Sequence, residues 1–222
     1  MATWTLMKRT NSKIDLTLDY HAHVLPGCDH GSDSVETSRK QLAMAAAARV
    51  RTGCATPHFY PHKESIPSFL QRREASARLL RENLTADAPQ LQLGAEVLIC
   101  DGMERLDGLP RLCRSETNEL LLEMPFYQWP ETIWDTLYAL CERRDIEIVL
   151  AHAERYSPEA IEQLIRDNVA LQLNSECLTR PLHRKRYLTW IKNGSVKYLG
   201  SDIHMLGDGY RAWEKCVKLL SK

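Results

Sequence analysis

The chain predicts an α/β protein of parallel strands covered by helices. Three observations point there. Seven short apolar runs recur along the chain, amphipathic helical patterns separate most of them, and the runs lack the polar alternation of a half-exposed strand. Seven β–α repeats fit either a parallel barrel or a doubly wound sheet, and the placement of the polar residues favours the barrel.

The runs lie at residues 16–20, 51–56, 91–95, 119–122, 147–151, 169–173 and 196–200. The first helical pattern, 35–50, follows Ser32 and Ser34, either of which can cap it, and is rich in the strong helix formers Ala and Leu. Patterns at 67–82, 130–144, 158–167, 182–192 and 210–220 follow. Three of them open with a proline (Pro67, Pro130, Pro158) at a first-turn position, where its missing N–H costs nothing. No repeat or Gly/Ser linker splits the chain, so 14–222 reads as one domain behind a flexible tail at 1–13.

Composition narrows the function. The 222 residues carry 29 Lys plus Arg against 29 Asp plus Glu, so there is no global positive field to drive nucleic-acid binding. No apolar run approaches the length of a membrane span, and 1–13 lacks the apolar stretch of a secretory signal. The seven cysteines contain no CxxC pair, which fits free thiols in a reducing cytoplasm. Cys54, Cys100 and Cys141 read as small buried apolar residues. None of the seven is followed six positions later by Arg, as a thiolate phosphatase needs, and there is neither a GxSxG elbow nor a GxxxxGK loop.

The polar residues at the far ends of the runs are more informative. In chain order they are His21 and His23, His58, Glu96, Glu123, His152, and Asp202 with His204. Six of the seven strands therefore end in a histidine or a carboxylate. In a parallel barrel those ends open on one face, where active sites are built. One histidine at a strand end is usually a hydrogen-bonded structural residue, and a carboxylate there often caps the next helix. Here five of eight histidines occupy such positions among three carboxylates, a set that chance does not explain. Imidazole with carboxylate suits Zn, Mn or Fe, and eight donors exceed the needs of one ion, so two or three ions are implied. His62 and His183 fall outside the pattern and read as surface residues. Trp129, Trp134, Trp190 and Trp213 read as packing residues.

The block Asp19-Tyr20-His21-Ala22-His23-Val24-Leu25-Pro26-Gly27-Cys28-Asp29-His30-Gly31 resembles the opening motif of the PHP (polymerase and histidinol phosphatase) superfamily. It is nearest the branch of manganese-dependent bacterial protein-tyrosine phosphatases of capsule and exopolysaccharide loci. Ala55-Thr56-Pro57-His58, Gly94-Ala95-Glu96, Leu121-Leu122-Glu123-Met124-Pro125, Leu150-Ala151-His152-Ala153-Glu154-Arg155-Tyr156, Gln172-Leu173-Asn174 and Ser201-Asp202-Ile203-His204 continue the series. The resemblance implies a distorted, TIM-like (β/α)7 barrel with its metal cluster at the C-terminal face of the strands. It implies two or three divalent ions, manganese first with iron or zinc as alternatives, on His21, His23, His58, Glu96, Glu123, His152, Asp202 and His204. Arg155 matches an arginine that binds the substrate phosphate, while His152 or His204 is left to assist proton transfer. The implied partner is a tyrosine-phosphorylated protein, a membrane-associated bacterial tyrosine autokinase controlling polysaccharide export. A small-metabolite phosphatase acting on histidinol phosphate or a nucleotide, and a non-catalytic phosphopeptide-binding regulator, are the alternatives.

The chain departs from the pattern twice. Where the pattern has a second aspartate, this chain has His30, either a ligand that removes one negative charge from the cluster or a solvent-facing loop residue. After His204 the pattern continues with Asn and a phosphate-gripping arginine. Here Met205-Leu206-Gly207-Asp208-Gly209 intervenes, and Arg211 is the nearest substitute, or else a helix surface charge.

Overall fold

The computed structural model describes residues 13–207 and 209–221. Apart from Lys13, the tail expected at 1–13 lies outside them, as does Asp208. All pairing between the strands is parallel. Strands β1 (Leu18–Ala22), β2 (Thr52–Ala55) and β4 (Gln90–Leu93) form one sheet in the order β1-β2-β4. A second sheet contains β3 (His58–Phe59), β5 (Glu96–Leu98), β6 (Glu119–Glu123), β7 (Glu147–Leu150), β8 (Ala170–Asn174) and β9 (Val196–Gly200), in that order.

Two of the seven expected strands are thus each cut in two. Pro57 has no N–H to give to a ladder, so the second run stops at Ala55 and resumes at His58; the third breaks at Gly94-Ala95. Hydrogen bonds step across both breaks, from Gly94 N to Ala55 O at 2.9 Å and from Glu96 N to Pro57 O at 3.1 Å. His58 and Glu96, expected just beyond strand ends, instead open β3 and β5 and stand opposite each other in register. His21 likewise lies within β1 rather than after it. Past β9 the chain meets β1 through a single parallel bridge, Ala22 to Ile203, flanked by Asp202 N to His21 O at 2.8 Å and His23 N to Ile203 O at 3.0 Å. The described pairing is therefore two parallel sheets joined at that bridge rather than one unbroken ladder.

Among the described residues seven α-helices follow the strands: α1 (Val35–Ala47), α2 (Ile66–Arg81), α3 (Glu131–Cys141), α4 (Pro158–Arg166), α5 (Ser175–Thr179), α6 (Arg184–Lys192) and α7 (Gly209–Leu220). Ser34 caps α1 by accepting from Thr37 N at 3.2 Å, whereas Ser32 turns inward to the Ser38 hydroxyl at 2.7 Å. α1 ends three residues short of the expected 50, because Arg49 takes a left-handed backbone (φ 67°) that no helix can continue. Pro130 is the N-cap of α3 rather than its first residue. α5 was not expected from the sequence, since five residues are too few to show a period.

β6 is buried along its whole length, and its alternation sorts two cores. Leu120 and Leu122 join the large core under the helices, where each buried side chain contributes roughly 1.5–3 kcal/mol. Leu121 joins Tyr20, Cys54, Val149 and Ala151 in a small separate cluster. The same alternation places Glu119 and Glu123 on the side of Leu121, one at each end of the strand. Around Glu119 every buried charge has a partner. Arg114 donates to Glu119 Oε2 through Nε at 3.0 Å and a terminal nitrogen at 2.7 Å, and to Gln92 at 2.9 Å. Lys197 and the Tyr198 hydroxyl reach Glu119 Oε1 at 2.7 and 2.5 Å, and Tyr198 stacks on Tyr20 with centroids 3.9 Å apart. Trp190 and Trp213 are buried and Trp129 and Trp134 half-buried, all against core residues; Cys54 is buried, while Cys100 and Cys141 are half-buried.

Candidate metal centre

Parallel strands bring their C-terminal ends to one face, and here those ends carry the expected donors. Glu96, 1% exposed, is the hub. Its Oε2 lies 3.2 Å from His21 Nε2, 3.2 Å from His23 Nε2 and 3.1 Å from His58 Nδ1, while its Oε1 lies 2.8 Å from His152 Nε2. Glu123 stands 3.6 Å from His152 and 3.9 Å from His58. Asp202 Oδ1 faces His21, His23 and His204 at 3.5, 3.6 and 3.5 Å. His21 and His23, two residues apart, converge with their Nε2 atoms 3.1 Å apart. All eight strand-end residues thus gather in one place. The His30 ring stands against His58 and His204, with centroids 4.6 and 4.7 Å away.

The donor set fits divalent ions on two grounds. Three overlapping groups, His21–His23–Glu96, His58–Glu96–Glu123 and His23–His58–His204, each hold their donor atoms within 4.8 Å of one another. Moreover Glu96 Oε2, His58 Nδ1 and His204 Nε2 are buried with no hydrogen-bond partner. An uncompensated buried polar group costs about 1–3 kcal/mol, and three in one spot are what a shared cation satisfies.

The outer nitrogens are also held, as ligating imidazoles require. His23 Nδ1 donates to Asp29 Oδ2 at 2.6 Å, His21 Nδ1 to Gln172 Oε1 at 3.2 Å, His152 Nδ1 meets the Tyr156 hydroxyl at 3.2 Å, and His204 Nδ1 donates to the Asp202 carbonyl at 3.0 Å. Gln172 Oε1 also accepts from His152 N at 2.7 Å, and its amide passes on to Asn174, which donates to Asp202 Oδ2 at 2.9 Å. Asp19 holds the two ends of the bridge together, accepting from Ser201 N at 2.8 Å and from the Tyr210 hydroxyl of α7 at 2.7 Å. His152 and Asp202 both take left-handed backbone, at φ 31° and 52°, a strain of about 1–2 kcal/mol per residue that marks functional turns.

Charge follows contact. Burial works against a proton on His23, but Asp29 and Glu96 outweigh it and push its pKa up to about 10. His152 is pushed up to about 9 in the same way by Glu123 and Glu96. Burial raises the Glu96 carboxyl, yet the imidazoles of His21, His152 and His23 prevail and hold it well below its ordinary range. Burial takes His58 down to about 3 and lowers His204, leaving both neutral and able to ligate. A cation held by His23 or His152 would have to displace these protons.

Arg155, at the end of a single 3-10 turn after His152, is 43% exposed at this mouth and donates to Asp202 Oδ2. Arg211 lies exposed in the first turn of α7, and His62 and His183 are exposed. The supporting residues Asp29, Gln172, Asn174 and Tyr156 carried no assigned role in the sequence. Gln172 and Asn174 showed in the sequence as amides in an otherwise apolar strand and as one motif of the resemblance, without a role.

A family model for capsular polysaccharide synthesis, CpsB/CapC, matches residues 17–222. The chain belongs to the CpsB/CapC family. No curated protein matches it in sequence. A chain from the crystal structures of YwqE from Bacillus subtilis and CpsB from Streptococcus pneumoniae, described as unique metal-dependent tyrosine phosphatases, superposes with a TM-score of 0.73. That match is 23% identical and spans 92% of this chain and 86% of that one. At such identity it establishes a shared fold, in keeping with CpsB/CapC membership. No helix among the described residues is long and apolar enough to cross a membrane.

Proposed function

We propose that this CpsB/CapC protein is a metal-dependent phosphomonoesterase that hydrolyses phosphotyrosine on protein. The observation that carries the reading is the convergence of eight donors and three unpartnered buried atoms beside an exposed arginine. The description of YwqE and CpsB as metal-dependent tyrosine phosphatases supports it. On this reading the two sheets act as one distorted barrel, and His21, His23, His58, Glu96, Glu123, His152, Asp202 and His204 hold two or three ions. Manganese is the preferred ion, with iron or zinc able to replace it. The substrate is a tyrosine autokinase of capsule or exopolysaccharide synthesis, met in the cytoplasm.

Ions in this site supply a nucleophile from water at neutral pH and offset charge on the phosphoryl oxygens. Arg155, anchored on Asp202, presents its remaining N–H groups to the same oxygens. Gln172 keeps His21 and His152 aligned through one carbonyl oxygen. A phenolate, with an ordinary pKa of about 10, leaves with less help than an alkoxide. His152 or His204, when not ligating, returns the proton from its Nε2 atom.

The test is a panel of phosphotyrosyl peptide, histidinol phosphate and nucleoside monophosphates given to the purified chain with manganese. The highest kcat/KM is expected on the peptide, with Arg155→Ala lowering it by about 10²-fold. Faster turnover of one metabolite would assign a small-molecule phosphatase, and tight peptide binding without phosphate release would assign a regulator.

A further inference from the structure

Among the described residues six large apolar side chains lie exposed, and they are not scattered. Phe126 and Tyr127 follow β6, Leu182 lies past α5 after β8, and Met205 and Leu206 come directly after His204. These five leave the C-terminal ends of strands, the ends that carry the donors. Leu79 alone lies elsewhere, in the last turn of α2, which returns the chain toward the opposite ends. The loops around a charged mouth thus carry exposed apolar side chains, and apolar surface gathered in one region marks a binding site.

Phe126 is the member that touches the donor set. Its ring stacks on the His152 imidazole and on Tyr156, with centroids 5.8 and 6.0 Å apart and planes 27° and 23° from parallel. Yet the residue is 66% exposed, so the rest of its phenyl is open to a partner. The loop beneath it is held. Met124 N donates to the Tyr156 hydroxyl at 3.0 Å, and the Trp129 indole N–H donates to Pro125 O at 2.9 Å. Trp129 in turn packs edge-on against Tyr156, with 5.4 Å between centroids. A ring held in place before binding loses little freedom when a ligand arrives.

We propose that Phe126 is a specificity residue, whose exposed face takes the aromatic ring of an aryl phosphate while the phosphoryl group lies among the donors. The inference rests on the phosphatase reading and sharpens its substrate class. In a phosphotyrosyl side chain a single ester oxygen joins phosphorus to the ring. A phosphate beside His152 therefore brings that ring within reach of Phe126. Offset-stacked and edge-on rings attract at centroid distances of about 4.5–7 Å, and an alkyl phosphate has no ring to offer.

The test uses the full chain with manganese, a phosphotyrosyl peptide, its non-hydrolysable phosphonate analogue and inorganic phosphate. Phe126→Ala should raise KM for the peptide and Kd for the analogue about tenfold, with kcat changed less. The inhibition constant of inorganic phosphate, which has no ring, should stay as in the wild type. Phe126→Tyr should keep the wild-type KM and Phe126→Leu should not, with Leu79→Ala as the control for an exposed side chain away from the mouth. Thermal melts report whether the fold is kept. Peptide KM and analogue Kd unchanged in Phe126→Ala overturn the proposal, as does an equal loss of affinity for inorganic phosphate. A change of oligomeric state in sedimentation with KM unchanged also overturns it, and assigns the ring to a second copy of the chain. A wild-type chain that binds the analogue through Phe126 but releases no phosphate overturns the phosphatase reading alone. A wild-type chain that does not bind the analogue overturns both.

Discussion

Glu119 and Glu123 stand on the same face of β6, at its two ends, and live in opposite chemistries. Glu119 is surrounded by Arg114, Lys197, Tyr20 and Tyr198, and its cluster contains no unpartnered buried atom among the described residues. Glu123 faces His58 and His152 beside Glu96, where three buried atoms have close neighbours but no aligned hydrogen bond. Both clusters are buried and charged, so burial alone does not mark a site. Satisfaction does: a cluster that closes its own hydrogen bonds holds the fold, and one that leaves them open waits for something from outside.

The sharpest way to break this contrast is to remove one acid from each cluster. Glu96→Gln should lower phosphatase activity by roughly 10³-fold, the several kcal/mol that shared ions contribute to the transition state, and should also lower the melting temperature of the metal-free chain, because His23 and His152 lose a carboxylate partner. Glu119→Ala should instead spare activity. It strands Arg114 and Lys197 and should cost about 3 kcal/mol of stability in denaturant titration, while activity per folded molecule is kept. If Glu119→Ala abolishes activity without loss of stability, the two ends are not separate in function.

The clusters should also titrate in opposite directions. Burial raises the Glu119 carboxyl, but its bonds to Lys197, Tyr198 and Arg114 win and hold it below the ordinary value. Its contribution is therefore present above that value and lost as pH falls further. His23 and His152 are raised from 6.5 to about 10 and about 9, so their contribution is complete below pH 6.5 and lost as pH rises through those values. Melting temperature against pH on the metal-free chain should decline on both sides. Glu119→Gln reduces the acid decline, the rest of which comes from Asp29, Glu96 and Asp202, and manganese removes the alkaline one. A smaller effect is expected from Gln172→Ala, which frees the His21 imidazole and the His152 backbone N–H without deleting a donor; metal affinity should fall about 10- to 100-fold in calorimetry, with the fold unchanged.

The donor set was legible because parallel strands impose an order: six of the seven apolar runs ended near a histidine or an acid, and the structure joins those residues. The exact ends were less legible. Pro57 signalled a break, yet nothing in the sequence says that pairing resumes at His58 rather than ending before it. Glu119 opened an apolar run with no role of its own, because its partners Arg114 and Lys197 are polar residues in places where solvent is the usual neighbour. Gln172 lay in plain view between Leu171 and Leu173, and only contact with the His21 imidazole and the His152 backbone N–H at once gives it a purpose.

The hydroxyl of Tyr210 has a reach that its position disguises. α7 contributes no donor to the mouth, yet its first turn is tied to Asp19, which clamps Ser201 beside Asp202 and lies two residues from His21. Any fusion, cleavage or partner that lifts this last helix would loosen the seam between the opening and closing strands. Loading with metal could then be controlled from the back of the molecule, by a lever that never enters the chemistry.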